Sequence, residues 1–366
     1  MANDLMERSR LAETADRVYR RMTDMPTKDW GMNLEEWDWV PGVGLISILA
    51  YTELGEKSSA IDDLRGWIDR NKHKAGESKT INAMAPYAVF PELYRRTGDA
   101  WYLETARRIG DWMVKEAPRT REMAFEHTVT EDVLFPEQVW ADTVFMAVLF
   151  LARLARLTGD RRYAEEAAFQ LRIHLQLLQD PDTGLLFHGW NCGSGDHMSS
   201  AYWTRANAWV VLAAPWIAGE IAGMMEIPGD IVHRYQRLAE ALRGYQGENG
   251  LWPTVADHPH FYPETSGSAG IAAGWFAGNA IGWLDDSYLD AAQKTLNGVL
   301  AQVAPDGTVT GVSGGTPVMP SIAAYNEIPC YPTLYGQGLT LILLSYAWAR
   351  AGQSERGETG VKNKMQ

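Results

Sequence analysis

Apolar residues recur at helical intervals along most of this chain. In 11–23 the series is Leu11, Val18, Tyr19 and Met22. Segments 44–54, 58–70, 83–97, 100–115, 142–157, 161–179, 202–222, 230–246, 268–283, 286–303 and 334–351 read the same way, which predicts about a dozen helices. Period-two alternation is scarce. Only Gly184–Trp190 and Gly307–Val312 suggest small hairpins.

A weak repeat runs through the helices. Leu93-Tyr-Arg-Arg-Thr-Gly-Asp99 is followed by Trp101, Tyr102 and Ala106, and Leu154-Ala-Arg-Leu-Thr-Gly-Asp160 by Tyr163 and Ala167. Trp283-Leu-Asp-Asp-Ser-Tyr288 with Ala292 is a looser third copy. In each, a helix stops, Gly or Asp turns the chain, and an aromatic anchor starts the next helix. Tyr102 and Tyr163 lie 61 positions apart in a chain of 366 residues, a length that six such units would fill. Six helical hairpins closed into a ring make an all-α (α/α)6 barrel, with inner helices buried and outer helices half exposed. Loops rich in Gly, Pro and Ser at 192–200, 253–268 and 311–321 are spread as rim connections would be, and binding groups are expected on them. No linker interrupts the pattern, so residues 1–366 read as a single domain, with a polar tail from about Glu355 expected to fray.

Composition narrows the function. The chain is 46% hydrophobic and 22% charged, as in globular proteins. Its net charge of −13 argues against nucleic acid or an anionic membrane as partner. An anionic substrate would therefore need a locally positive pocket. Two cysteines, Cys192 and Cys330, lack metal-ligand spacing and suit a reduced, cytoplasmic protein. The first ten residues carry acids and lack an apolar core, unlike a secretory signal, and the longest apolar runs, 144–152 and 339–349, are too short to cross a bilayer. Fifteen tryptophans are an unusual number. They suit either a large core or a sugar cleft, in which indole faces cover pyranose C–H faces.

Candidate chemistry centres on Phe135-Pro-Glu-Gln-Val-Trp-Ala-Asp-Thr-Val-Phe-Met146. Asp142 stands two residues after Trp140 at the mouth of an apolar helix. It reads either as a helix cap or as an acid whose pKa is raised by poor solvation, fit to act as general acid. Arg205 and Trp209, four residues apart, share a helical face and could bind a carboxylate and stack on a sugar. His127 and His188 are either structural or donors to the ligand. Trp37-Asp-Trp39 is either a stacking wall or core, and Glu264 before Thr-Ser-Gly-Ser268 reads as a cap. No phosphate loop, HExxH or G-x-S-x-G elbow is present, so neither a metal nor a cofactor is expected.

Trp140-Ala-Asp142-Thr, His188-Gly-Trp190, Trp203-Thr-Arg205 with Trp209, Glu264-Thr-Ser266 and Tyr335-Gly-Gln-Gly338 occur in this order. Together, from Trp37 to about Arg350, they resemble the unsaturated rhamnogalacturonyl hydrolases of glycoside hydrolase family 105, relatives of the family 88 unsaturated glucuronyl hydrolases. The resemblance implies an (α/α)6 barrel and a small oligosaccharide substrate carrying a 4,5-unsaturated uronic acid. It implies hydration of the vinyl ether: Asp142 protonates C4, then takes a proton from the water adding at C5, and the hemiketal opens to expel the aglycone. Arg205 with His188 would hold the substrate's carboxylate or hydroxyls, His127 would lie nearby, and Trp39, Trp140 and Trp209 would wall the ring. Two departures stand out: Asn82 occupies a place where the family usually has a second Asp, and His127 is displaced by a few residues. Asn82 could still hydrogen-bond a hydroxyl. Two rival readings are a sugar epimerase using a pair among His127, His188 and His197, and a non-catalytic carbohydrate-binding protein.

Overall fold

The computed structural model describes residues 2–23, 30, 34–55 and 57–362, with side chains described from 6 to 352 within those spans. Six outer helices alternate with six inner ones. The outer set is α1 (Ala2–Thr23), α3 (Ile61–Asn71), α5 (Ala100–Lys115), α7 (Arg161–Leu178), α9 (Gly229–Gly244) and α11 (Ser287–Leu300). The inner set is α2 (Trp39–Leu54), α4 (Phe90–Thr97), α6 (Leu149–Thr158), α8 (Thr204–Ile221), α10 (Thr265–Ala280) and α13 (Leu334–Lys362). A 3-10 segment, Asn82–Val89, leads into α4, and a π-helical turn, Val144–Val148, leads into α6. α13 packs against both α10 and α2, which closes the ring as an (α/α)6 barrel. A short helix, α12 (Ile322–Tyr325), lies in the last long loop.

The sequence explains which helices are inside. α2, α8 and α10 are buried at nearly every position and carry almost no charge, so they have no face suited to water. Small residues let them approach closely: a Cβ on Gly42 would lie 2.4 Å from that of Ala85, and one on Gly274 would lie 2.5 Å from the Val211 side chain. The outer helices bury one stripe each, as at Tyr163, Ala167, Leu171 and Leu178 of α7.

The hairpin repeat is present. α4 and α6 end on the left-handed glycines Gly98 and Gly159, at φ 70° and 69°. Asp99 and Asp160 then cap α5 and α7 by accepting from the backbone N–H of Trp101 and Arg162. The third copy uses Gly282 at φ 77°, with Tyr288 buried as its anchor.

The hairpin expectations hold in part. Single antiparallel bridges join Gln179 to Leu186 across Gly184 and Val303 to Val309 across Gly307. Gly189–Asn191 (β2), however, pairs with Gln138–Trp140 (β1), joining two rim loops. A second short ladder joins Trp252–Pro253 (β3) to Pro263–Glu264 (β4). The tail expected to fray falls where side chains lie outside the described residues, although the α13 backbone continues to Lys362. Among the described residues no helix is long and apolar enough to cross a membrane, and Cys192 and Cys330 are both unpaired.

Candidate active site

The starts of α2 and α8, with the segments that lead into α4 and α6, line a cavity of about 440 Å³. Its wall includes Trp39 at the start of α2, Asn82 at the start of the 3-10 segment, and Asp142 just before the π turn. Trp203 and Arg205 join it at the start of α8, with Gly315–Pro317 from the last rim loop. Arg205 is the sole Lys or Arg among these lining residues. The start of α8, which no side chain caps, adds partial positive charge. Together they provide the local positive potential that an acidic protein needs to admit an anion.

Asp142 opens the helical segment and is followed by the π turn, a feature that recurs at functional sites. It keeps 15% of its side chain exposed, and His188 Nε2 lies 3.3 Å from its Oδ2. Burial by itself would push the carboxyl up. The His188 imidazole outweighs that and holds Asp142 below the usual carboxylate range. This corrects the expectation of a raised pKa: indole neighbours remove solvent, but a facing imidazole restores the charged form. His188 is fully buried, so it holds Asp142 rather than facing substrate as expected. Its Nδ1 lies 2.8 Å from the Tyr325 hydroxyl.

His127 lies flat on Trp140, with ring centroids 3.8 Å apart and planes 9° apart. Burial drives its pKa down to about 3, so the ring is neutral at pH 7. Its Nδ1 has no protein partner. Trp140 is anchored by its Nε1 donating to Gln138 Oε1 at 2.9 Å, while Trp39 stacks on Tyr335 at 5.2 Å. Trp37, by contrast, is core, packed on Trp67, Tyr87 and Phe90. Asn82 faces the cavity with an unpartnered Oδ1, a buried acceptor suited to a sugar hydroxyl.

Arg205 departs most from expectation. Its guanidinium lies between the rings of Trp203 and Tyr335, 4.4 and 4.5 Å from their centroids. Nη1 donates to the Ser313 carbonyl at 3.0 Å and stands 3.5 Å from Glu264 Oε1, and Nη2 donates to the Gly314 carbonyl at 2.8 Å. Glu264, fully buried, caps α10 as expected by accepting from Ser266 N–H and Gly267 N–H, and also from Ser313 N–H at 3.1 Å. The ion pair therefore fixes the 311–317 loop over the cavity. Arg205 contributes to the wall without being a free carboxylate clamp.

Trp209 does not reach the cavity. It is fully buried against Phe145, with centroids 4.8 Å apart. A four-residue step keeps it on the Arg205 face but about 6 Å deeper along the axis, and Trp203 takes the wall instead. The histidine pair of an epimerase is not assembled either: His188 is buried, and His197 stacks on Phe187 at 3.7 Å, away from the lining. Sequence reasoning missed Trp203 as a wall, along with Tyr325 and Tyr335. The Trp203-Thr-Arg205 run contained the first and Tyr335-Gly-Gln-Gly338 the third, while no local signal marked Tyr325.

A second cavity, of about 670 Å³, adjoins the first and shares Trp39 and Glu131 with it. Among the described residues, Glu36, Asp38, Glu77 and Glu131 line it against a lone Lys74. Asp38 builds the partition: it caps α2 by accepting from Trp39 N–H and accepts from Thr130 Oγ1, each at 2.7 Å. Burial raises its carboxyl, and Glu131 and Glu36 add to the rise.

An aromatic-walled cavity at one rim of an (α/α)6 barrel, holding a carboxylate–imidazole pair, defines a glycoside hydrolase of the toroid class. The profile of Glycosyl Hydrolase Family 88 matches residues 12–350, and the chain belongs to that family. It is 34% identical over 352 residues to the unsaturated rhamnogalacturonyl hydrolase YesR of Bacillus subtilis, covering 94% of this chain and 97% of that protein. A structure from Klebsiella pneumoniae, described as a possible member of the GH105 family, superposes with a TM-score of 0.88 at 26% identity over 93% of each chain. The unsaturated glucuronyl hydrolase of Bacillus sp. GL1 shares the fold at a TM-score of 0.70 and 16% identity, over 91% of this chain and 96% of that one.

Proposed function

We propose that this hydrolase releases a 4,5-unsaturated uronic acid from the non-reducing end of lyase-generated oligosaccharides by hydrating the C4=C5 bond. The observation that carries the reading is Asp142, a half-buried carboxylate in the lining, opposed by His188 and walled by indoles. Direct displacement at an anomeric carbon calls for two carboxyl groups across the bond; hydration of a vinyl ether can use one.

Asp142 rests ionised, so the proton for C4 must be taken up when substrate binds. The uronate carboxylate brings a like charge into the cavity, which raises the Asp142 pKa. The acid then protonates C4, and the new carboxylate accepts a proton from the water that adds at C5. The hemiketal opens without further help from the protein. Trp39, Trp140 and Trp203 wall the ring. Asn82 accepts from a hydroxyl, and the start of α8 with Arg205 favours the carboxylate. The aglycone extends into the adjoining acidic cavity. Two unpaired cysteines suit work in a reduced compartment such as the cytoplasm.

The test is to follow the ultraviolet absorbance of the unsaturated bond across a panel of lyase-generated disaccharides. Loss of absorbance with release of the neighbouring sugar supports the reading. Isomerisation, or binding with no absorbance change, refutes it.

A further inference from the structure

We propose that Tyr325 is a positioning residue for this reaction: its hydroxyl donates to His188 Nδ1 and so keeps the imidazole proton on Nε2, facing Asp142. The inference rests on the hydration reading for its kinetic arm alone.

Tyr325 is fully buried at the end of α12, and its oxygen meets three groups. Met319 N–H donates to it at 3.2 Å, Ser199 Oγ lies at 3.3 Å, and His188 Nδ1 lies at 2.8 Å. A hydroxyl has one proton to give and two lone pairs to receive with. Met319 occupies one lone pair. If Ser199 donates to the other, the phenolic proton goes to Nδ1 and every partner is satisfied. The imidazole proton then sits on Nε2, 3.3 Å from Asp142 Oδ2. The opposite tautomer turns a bare nitrogen lone pair toward an ionised carboxylate, in a place where water cannot intervene. Burial also pushes the Tyr325 phenol up to about 12, so it keeps its proton across the working range.

The support for this hydroxyl comes from the rim. Ser321 caps α12 by accepting from Ala324 N–H at 3.3 Å, and Tyr262 donates to the Tyr325 carbonyl, also at 3.3 Å. The same loop binds Arg205 through Ser313 and Gly314. One segment thus fixes both the cavity's cation and its carboxylate. The titratable and charged groups around the pair are His127 across Trp140, Tyr325 behind His188, and Arg205 and Glu131 in the lining.

Tyr325→Phe keeps the ring and removes the donor. Nδ1 is left with an empty, buried acceptor site, the Nε2–H tautomer loses its advantage, and Asp142 Oδ2 loses the N–H that faces it at 3.3 Å. The limb of kcat/KM that reports protonation of the Asp142–His188 pair should move up by about one to two pH units. A residue that only packs would leave that limb in place, so an unshifted profile in a folded, active variant overturns the proposal. If wild-type protein itself shows no turnover, the hydration reading fails instead, and the two failures are distinct. The second measurement needs no activity: imidazole 15N shifts of wild-type protein at pH 7, with His188 assigned by loss of its signals in His188→Gln. Protonated Nε2 with bare Nδ1 is expected, and protonated Nδ1 with bare Nε2 overturns the proposal whether or not Tyr325→Phe folds.

Discussion

Replacing Arg205 with methionine separates a structural cation from a free substrate clamp. Methionine retains bulk between Trp203 and Tyr335 but strands Glu264, which is 0% exposed. Removing one partner of a buried ion pair costs about 3–5 kcal/mol, because the other charge stays in the interior. The carbonyls of Ser313 and Gly314 also lose a charged donor, and the stacked guanidinium loses its contact with two rings. These additions bring the total to about 4–6 kcal/mol, a large share of a usual folding free energy. With a urea m-value of about 3 kcal/mol/M, the unfolding midpoint should fall by about 1–2 M. Adding Glu264→Gln to the same protein removes the stranded charge and should recover more than half of that loss. The assay is urea unfolding followed by tryptophan fluorescence for wild type, both single variants and the pair. An Arg205→Met midpoint within about 0.3 M of wild type, or a double variant less stable than Arg205→Met alone, would refute the assignment and return Arg205 to the role of a free carboxylate ligand.

Three further outcomes follow from the same geometry. His174 is fully buried, donates from Nδ1 to the Gln170 carbonyl at 2.8 Å, and has its pKa lowered to about 4. The unfolded chain takes up that proton near pH 6.5, so stability should be full above that pH and should fall by about 1.4 kcal/mol per unit as pH drops toward 4; His174→Gln should flatten this part of a pH-dependent melting curve, and an unaltered slope contradicts the burial argument. Trp209→Phe should lower melting temperature with little change in KM, while Trp203→Phe should raise KM; a KM effect confined to Trp209 would reverse the correction made to the wall. Because Glu36, Asp38, Glu77 and Glu131 face a lone Lys74 in the second cavity, an uncharged aglycone should be turned over at higher kcat/KM than a sulfated one, with the gap narrowing in salt; equal rates would place the aglycone elsewhere.

The barrel was legible because its cause is local. Apolar periodicity, a left-handed glycine and a capping aspartate act over a few residues, and they recur at Gly98–Asp99 and Gly159–Asp160. Asp142, Trp39, Asn82, His127, Trp140 and Arg205 all reach the cavity wall. What was hidden depends on distance along the chain. Arg205 meets Glu264 across 59 positions, and His188 meets Tyr325 across 137. Those two partners decide whether the cation is free and which nitrogen faces the carboxylate. The sign of the Asp142 shift was misread for the same reason, since nearby indoles were visible and the opposing His188 was not. Trp209 shows a further limit: spacing assigns a helical face but not a depth, and the cavity ends within about one turn of the helix start.

The most direct measurement is the absorbance assay on Asp142→Asn, with an unsaturated uronyl disaccharide that wild type consumes and with folding checked by circular dichroism. Asn keeps the size of the side chain but neither donates a proton to C4 nor accepts one from water. A folded variant that still binds the disaccharide yet leaves its double bond intact, with rates down by at least about 10³-fold, is the expected result. A folded variant that clears the chromophore at near wild-type rate would contradict the assignment of both proton transfers to this carboxylate.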